Sequence, residues 1–290
     1  MIHEIQAKTL LATVRGDDRI FGLKYNLNLY RGCEHQCIYC DSRSECYGIE
    51  NFHDVLVKVN AIELLEKELP RKRVKGTIGF GSMSDPYTPV ERRYELTRRA
   101  LQVIARHAFP AFLITKSDLV LRDADVLQDV GRVYAGVCFT LTTVDDELAR
   151  RVEPGAPLPS ARLRAMAALS GQGILTGVTL MPVLPFLEDN EANIGAIIEQ
   201  TAAHGGQFII PWFGMSLRDR QRAYYYEQLD RLFPGLRVQY ERAYGQQYGC
   251  PARQYRRLAQ YCDQLCARLG LATHVLRYAP PVSEQQLSLF

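Results

Sequence analysis

Three cysteines crowd one short stretch. Tyr30 to Arg43 reads Y-R-G-C-E-H-Q-C-I-Y-C-D-S-R and sets Cys33, Cys37 and Cys40 in a C-x3-C-x2-C spacing. Thiols this close share one loop and can converge on one metal centre. Soft thiolates select zinc, copper(I) or iron–sulfur clusters. A structural zinc site takes four ligands, usually as two close pairs. A ferredoxin-type four-iron cluster also takes four cysteines, with tighter early spacings. This run supplies three. A four-iron cluster on three thiolates keeps one iron open to a small-molecule ligand. The competing reading is three buried cysteines or a zinc loop, because free cysteine often acts as a small buried hydrophobe.

Polar groups recur where later strands should end. Gly79-Phe80-Gly81-Ser82-Met83-Ser84-Asp85-Pro86-Tyr87 combines glycines, which let backbone approach a ligand closely, with hydroxyls and Asp85, which can accept from an ammonium. Lys116 follows Thr115 as a cation, and Thr140 opens a run of hydroxyls, Thr140-Leu141-Thr142-Thr143. Glu153 stands before Pro154, and Leu180-Met181-Pro182 is an apolar strand end. Five cysteines remain. Cys46 follows the cysteine loop closely, and Cys138 lies within a strand. Cys262 and Cys266 join an apolar helical stripe with Leu258, Leu265 and Leu269. Cys250 sits in a Gly-Cys-Pro turn after Tyr244 and Tyr248; a second metal centre from Cys250, Cys262 and Cys266 has poor spacing. Arg253, Arg256 and Arg257, with Tyr224 to Tyr226, have the chemistry to grip phosphates and stack bases.

The elements that must position these groups alternate. Strands are predicted at 24–30, 77–81, 111–115, 134–141, 174–181 and 207–211. Helices are predicted at 61–69, 92–107, 122–130, 145–151, 160–170 with Ser160 as N-cap, 190–203 and 217–232. Such alternation implies parallel strands with right-handed crossovers. The expected fold is α/β, an open partial (β/α)6 TIM barrel with a small C-terminal extension. Residues 1–22 form an N-terminal arm, 23–235 the barrel, 236–279 the extension and 280–290 a tail. The cysteine loop then follows the first barrel strand, on the face where β/α barrels do their chemistry.

Composition narrows the class. The chain has 290 residues, 47% of them hydrophobic, and a formal charge of +3 from 35 basic and 32 acidic residues. That near balance does not by itself indicate a nucleic-acid binder. No stretch approaches membrane-span length and no signal-peptide pattern opens the chain, so a cytoplasmic protein without a membrane partner is expected. Eight cysteines in a chain of this size do not read as a disulfide scaffold.

The cysteine spacing, with Tyr39 just before the last thiol, resembles the signature of radical S-adenosylmethionine (SAM) enzymes. Y-N-L-N-L-Y-R-G-C-E-H-Q-C-I-Y-C, S-D-P-Y, I-T-K-S-D, R-R-V-E-P and L-M-P-V-L-P fall in the order seen in the spore photoproduct lyase-like branch. The resemblance spans residues 20–250. It implies a radical SAM barrel with a [4Fe-4S] cluster on Cys33, Cys37 and Cys40. It also implies SAM chelated to the open iron, reductive cleavage to a 5′-deoxyadenosyl radical, and a reductase such as flavodoxin or ferredoxin. Ser84, Lys116 and Thr140 match polar SAM contacts of the lyase, and Tyr39 its cluster-loop tyrosine. Asp85 and Glu153 join the expected cofactor side, and residues 180–182 the wall against adenine.

Two positions depart from the lyase. Ser82 stands where a hydrogen-donating cysteine is expected, and Asp41 where a second relay tyrosine is expected. A serine O–H bond is too strong for that donor role, which argues against spore photoproduct as substrate. Cys250, then Cys46, are the replacement donors considered. The implied function is radical SAM chemistry on nucleic acid, as DNA lesion repair or base modification by a lyase. RNA, peptide or small-molecule substrates are the alternative, as is a non-enzymatic metal-binding module. Gln286-Leu287-Ser288-Leu289-Phe290 resembles the peptide that docks bacterial proteins on the DNA sliding clamp, with Leu289 and Phe290 filling an apolar pocket.

Overall fold

The computed structural model describes residues 1–280. The chain opens with β1 (Ile2–Ile5), β2 (Leu11–Thr13), β3 (Tyr25–Leu27), β4 (Tyr30–Arg31) and β5 (Val55–Lys58). Alternation follows: α1 (Ala61–Glu68), β6 (Ile78–Phe80), α2 (Glu91–Tyr94), α3 (Leu96–Arg106), β7 (Ala111–Thr115), α4 (Ala124–Gly131) and β8 (Ala135–Thr140). It continues with α5 (Asp146–Val152), α6 (Pro159–Ser170), β9 (Leu175–Leu180), α7 (Glu191–Ala203) and β10 (Phe208–Pro211). The chain then forms β11 (Gly214–Ser216), α8 (Asp219–Leu232), α9 (Leu236–Tyr244), β12 (Gly249–Pro251) and α10 (Tyr255–Leu269).

Strands β3, β6, β7, β8, β9 and β10 lie side by side, all parallel, with β2 antiparallel at the outer edge. This is a partial six-stranded TIM barrel. Its central strand β8 is buried at every residue, which is why Ala135–Thr140 reads as an almost unbroken apolar run. Alternate side chains serve two cores. Leu113, Val137, Val178 and Ile209 pack outward under the helices, while Phe112, Cys138, Phe208 and Ile210 fill the inside. Because chain order equals sheet order from β6 to β10, loops after successive strands are neighbours in space.

Local chemistry shifts two predicted boundaries. The helix predicted at 92–107 breaks at Glu95, whose φ of 50° is left-handed. Ser160 is not the N-cap of α6. Pro159 occupies the first helical position, which suits its missing N–H and fixed φ, and Ser160 Oγ instead donates to Asp146 Oδ2 (2.8 Å). The expected arm at 1–22 is woven in, β1 pairing with β5 and β2 with β3. In the C-terminal extension, β12 pairs with β11 and α10 packs on α7. The clamp-like peptide, Gln286 to Phe290, lies outside the described residues. Among the described residues, no helix is long and apolar enough to cross a membrane.

Candidate active site

The cysteine loop leaves β4 beside the C-terminal end of the parallel sheet and is locked from several sides. Ile38 N–H donates to Val152 O and Gly155 N–H to His35 O, both at 2.9 Å, so the α5–α6 connection clamps the loop. Gly155 must be glycine there: a Cβ would sit 2.1 Å from Glu34 O. The Gln36 side chain donates to Cys33 O (2.8 Å) and Phe52 O (3.1 Å). Ser42 Oγ donates to Met83 O (2.9 Å), joining the loop to the segment after β6.

Cys33, Cys37 and Cys40 line one cavity of about 140 Å³, together with Ser84, Asp85, Lys116, Thr140 and His35. The predicted polar residues therefore meet at the ends of the neighbouring strands β6, β7 and β8. Gly81 opens the first of these segments at φ +92°, where a Cβ would lie 2.3 Å from Ile114 O. Ser84 Oγ is buried without a hydrogen-bond partner among the described residues. Such a hydroxyl costs stability until something bonds it, and here it lines the cavity where a ligand could do so. Among the described residues, no three His, Cys, Asp or Glu side chains are placed to close on a single ion.

Asp85 positions the wall. It accepts from Thr115 Oγ1 (2.7 Å), Lys116 N (2.7 Å) and Tyr87 N (2.8 Å). His35 Nδ1 lies 3.3 Å from Asp85 Oδ2. Burial alone would raise the Asp85 carboxyl, but the His35 ring and these donors bring it down to about 2. For Lys116 the opposing influences are reversed. Burial would lower its ammonium, but Cys37 and Glu153 hold it above its ordinary value. It stays a cation facing the cavity.

Tyr39 and Glu153 do not line the cavity; they form its backing. The Tyr39 hydroxyl donates to Glu153 Oε1. Glu153 Oε2 pairs with Arg162 Nη2 at 2.5 Å, both side chains being 1% exposed. Burial raises the Glu153 carboxyl, and Arg162 with Lys116 outweighs it, so the net shift is downward. Arg162 also donates to Thr140 O (3.0 Å) and Pro157 O (2.7 Å). This fixes the end of β8 to α6.

The two thiols considered as hydrogen donors are not on this cavity. Cys46 is exposed in the turn beyond the loop. Cys250 is buried with Met215, Tyr225, Tyr226, Tyr240 and Tyr244 against the back of the cysteine loop. Cys138, Cys262 and Cys266 are core residues, the last two with sulfurs 3.9 Å apart and in a different core from Cys250. The expected grip of Arg253, Arg256 and Arg257 with Tyr224 to Tyr226 is not assembled as one surface, and of the three arginines Arg256 alone has no carboxylate partner among the described residues. Tyr225 and Tyr226 are buried, Tyr224 stacks on Arg43 (3.7 Å), Arg253 pairs with Asp189 and Arg257 with Glu191.

Sequence reasoning passed over His35, Arg162 and the role of Asp41. The Asp41 carboxylate accepts from Ser216 Oγ (2.7 Å), Tyr47 OH (3.0 Å) and Arg218 Nη2 (2.5 Å). It ties the cysteine loop to the start of α8. Only the charge of these residues signalled anything, because each partner is remote in the chain or hidden inside the loop.

A family model of the radical SAM superfamily matches residues 27–194. The chain belongs to the radical SAM superfamily. It is 32% identical over 293 residues to an uncharacterized protein of Mycobacterium tuberculosis, covering 98% of this chain and 85% of that one. It is 26% identical over 181 residues to the Radical SAM Nalpha-GlyT isomerase of Pseudomonas phage M6, covering 62% of this chain and 37% of that one. The solved structure of spore photoproduct lyase complexed with dinucleoside spore photoproduct superposes with a TM-score of 0.71 at 15% identity. That match covers 93% of this chain and 81% of the lyase.

The family's cofactors, a [4Fe-4S] cluster and SAM, are those of this chain, and the cavity fits both. Three thiols lining one cavity could hold the cluster. The unpartnered Ser84 hydroxyl, the Lys116 cation and Thr140 have the chemistry to bond an amino-acid zwitterion and a ribose.

Proposed function

We propose that this enzyme takes a hydrogen atom from a modified or damaged base in nucleic acid. When bound, the reduced cluster supplies the electron that breaks SAM to methionine and a 5′-deoxyadenosyl radical. The protein's part is placement. Cys33, Cys37 and Cys40 would hold the cluster, Ser84 and Lys116 would bond the methionine end of SAM, and Thr140 would offer a hydroxyl to its ribose. Asp85 fixes Lys116 through its backbone N–H, and the Tyr39–Glu153–Arg162 chain keeps the cavity floor from shifting. Such preorganised groups need no rearrangement at the moment of reaction.

The observation that carries this reading is the three-thiol cavity with an unpartnered buried hydroxyl opposite. The choice of nucleic acid is supported by the barrel's likeness to a lyase solved with a dinucleoside lesion. A base in duplex must be extruded to reach a barrel pocket, and lesions flip most easily. The reaction is proposed to be lyase-like carbon–carbon chemistry, with a flavodoxin- or ferredoxin-type reductant in the cytoplasm. Gln286 to Phe290 are proposed to dock on the sliding clamp, which deletion of those residues and a clamp pull-down test. Cys250 and Cys46, the two thiols expected as hydrogen donors, both lie off the cofactor cavity, so neither is proposed for that step.

The test is isotope transfer. Base-deuterated DNA and RNA oligonucleotides carrying lesions are incubated anaerobically with the reduced enzyme and SAM. Deuterium in 5′-deoxyadenosine is the expected result. 5′-Deoxyadenosine that stays unlabelled across the whole panel removes nucleic acid as the substrate and leaves peptides and small molecules.

A further inference from the structure

A second, smaller hollow lies at the same C-terminal end of the sheet, beyond the last strand. Trp212 follows directly on Pro211 of β10, and its N–H donates to Leu180 O (3.0 Å). With Phe213, Gly214, Met215, Gly249, Cys250, Pro251 and Tyr255 it encloses about 130 Å³. Trp212 is the chain's single tryptophan. It is 44% exposed, and Tyr255 is 46% exposed. Two half-exposed aromatic rings on one hollow present flat apolar faces to solvent. The Tyr255 ring is set edge-on to Phe213, with centroids 5.9 Å apart and planes at 86°, so its position is fixed by the core. Gly249 leaves the wall bare: a Cβ there would meet nothing within 4 Å.

The rim is basic. Tyr248, 56% exposed, lies under the Arg218 guanidinium at 5.3 Å. Arg222 is held by the carbonyls of Leu217, Gly245 and Gln247, and Arg256 is exposed beside Tyr255. Among the described residues, neither Arg222 nor Arg256 has a carboxylate partner, whereas Arg253 and Arg257 are matched by Asp189 and Glu191. Flat apolar faces with uncompensated guanidinium groups beside them suit one kind of ligand. That ligand has a π-face and an attached phosphate.

We propose that the Trp212–Tyr255 hollow is a stacking site for an unstacked nucleobase, with the exposed Arg256 on a flanking phosphate. The proposal rests on the nucleic-acid reading above. Stacking on an aromatic side chain tolerates any base, since every base has a π-face. The hollow therefore grips the strand, and the cofactor cavity chooses the atom that reacts.

Trp212 is its own reporter. The full-length holoenzyme is titrated with a short single-stranded oligodeoxynucleotide while tryptophan fluorescence is followed. Saturable quenching is expected, and an abasic strand of equal length should bind more weakly without quenching. Trp212→Ala and Gly249→Phe should each weaken binding roughly ten- to a hundredfold. Arg256→Ala should weaken it and flatten its salt dependence. Equal quenching by the abasic strand, or unchanged binding in both Trp212→Ala and Gly249→Phe, overturns the stacking site. If deuterium still passes from oligonucleotide to 5′-deoxyadenosine in those variants, only this site fails. If no oligonucleotide binds the wild-type enzyme at all, the site and the proposed substrate fall together.

Discussion

The cofactor cavity and the aromatic hollow share one end of the sheet and are built by opposite rules. Around the cavity two buried carboxylates are paired: Glu153 with Arg162 and Asp85 with His35. Asp85 takes three further hydrogen bonds, and Glu153 accepts from Tyr39. The hollow has rings and bare backbone on its walls, and among the described residues no charged side chain lines it. A cofactor of fixed shape rewards preorganised polar groups. A polymer substrate with changing sequence rewards apolar faces that any base can cover. On the proposed reading, radical generation belongs to one half and grip to the other.

Cutting the first half away tests that division most severely. Cys37→Ala should abolish cluster iron and SAM cleavage while leaving oligonucleotide quenching of Trp212 in place. Loss of both activities would show that the halves are not separable. Next in size is the cavity's backing. Arg162→Met leaves Glu153 buried without its partner, and about 3–5 kcal/mol of stability should be lost in urea unfolding. A loss under about 1 kcal/mol, the range of exposed pairs, would mean that water reaches the pair.

Acid should then act on the cavity side. The folded Asp85 carboxyl is depressed from 3.8 to about 2. Its contribution, on the order of 2 kcal/mol, is complete above pH 4 and lost as pH falls through about 2. Asp85→Asn should remove that part of the acid-unfolding profile and leave the rest. An unchanged profile would deny Asp85 its ionised, bonded state. The smallest effect is expected from Ser84→Ala. Loss of one hydrogen bond should weaken SAM binding about tenfold by equilibrium dialysis and leave oligonucleotide affinity alone.

Much of this was legible in the residue order. Apolar runs such as Ala111–Thr115 are strands because both faces are covered, and the structure returns that strand with the same ends. Since β6, β7 and β8 are sheet neighbours, Ser84, Lys116 and Thr140 meet simply by each following its strand. What stayed hidden were pairings across long sequence separations. Arg162 lies on a helix, where arginine ordinarily faces water, and only the fold brings it under Glu153. Asp41 finds Ser216 and Arg218 some 175 residues away. Tyr224, Tyr225 and Tyr226 look alike in sequence, yet helical periodicity buries the last two and turns the first onto Arg43. Trp212 carried no motif, and its exposure appears only once β10 is placed.

Electron paramagnetic resonance of the anaerobically reconstituted, reduced protein addresses the centre of the account directly. With iron and sulfide at one four-iron cluster per chain, addition of SAM should shift the spectrum, because an iron without a protein ligand takes up the cofactor. A spectrum indifferent to SAM at saturating concentration would mean that a fourth side chain closes the cluster, and the three-thiol reading would be wrong.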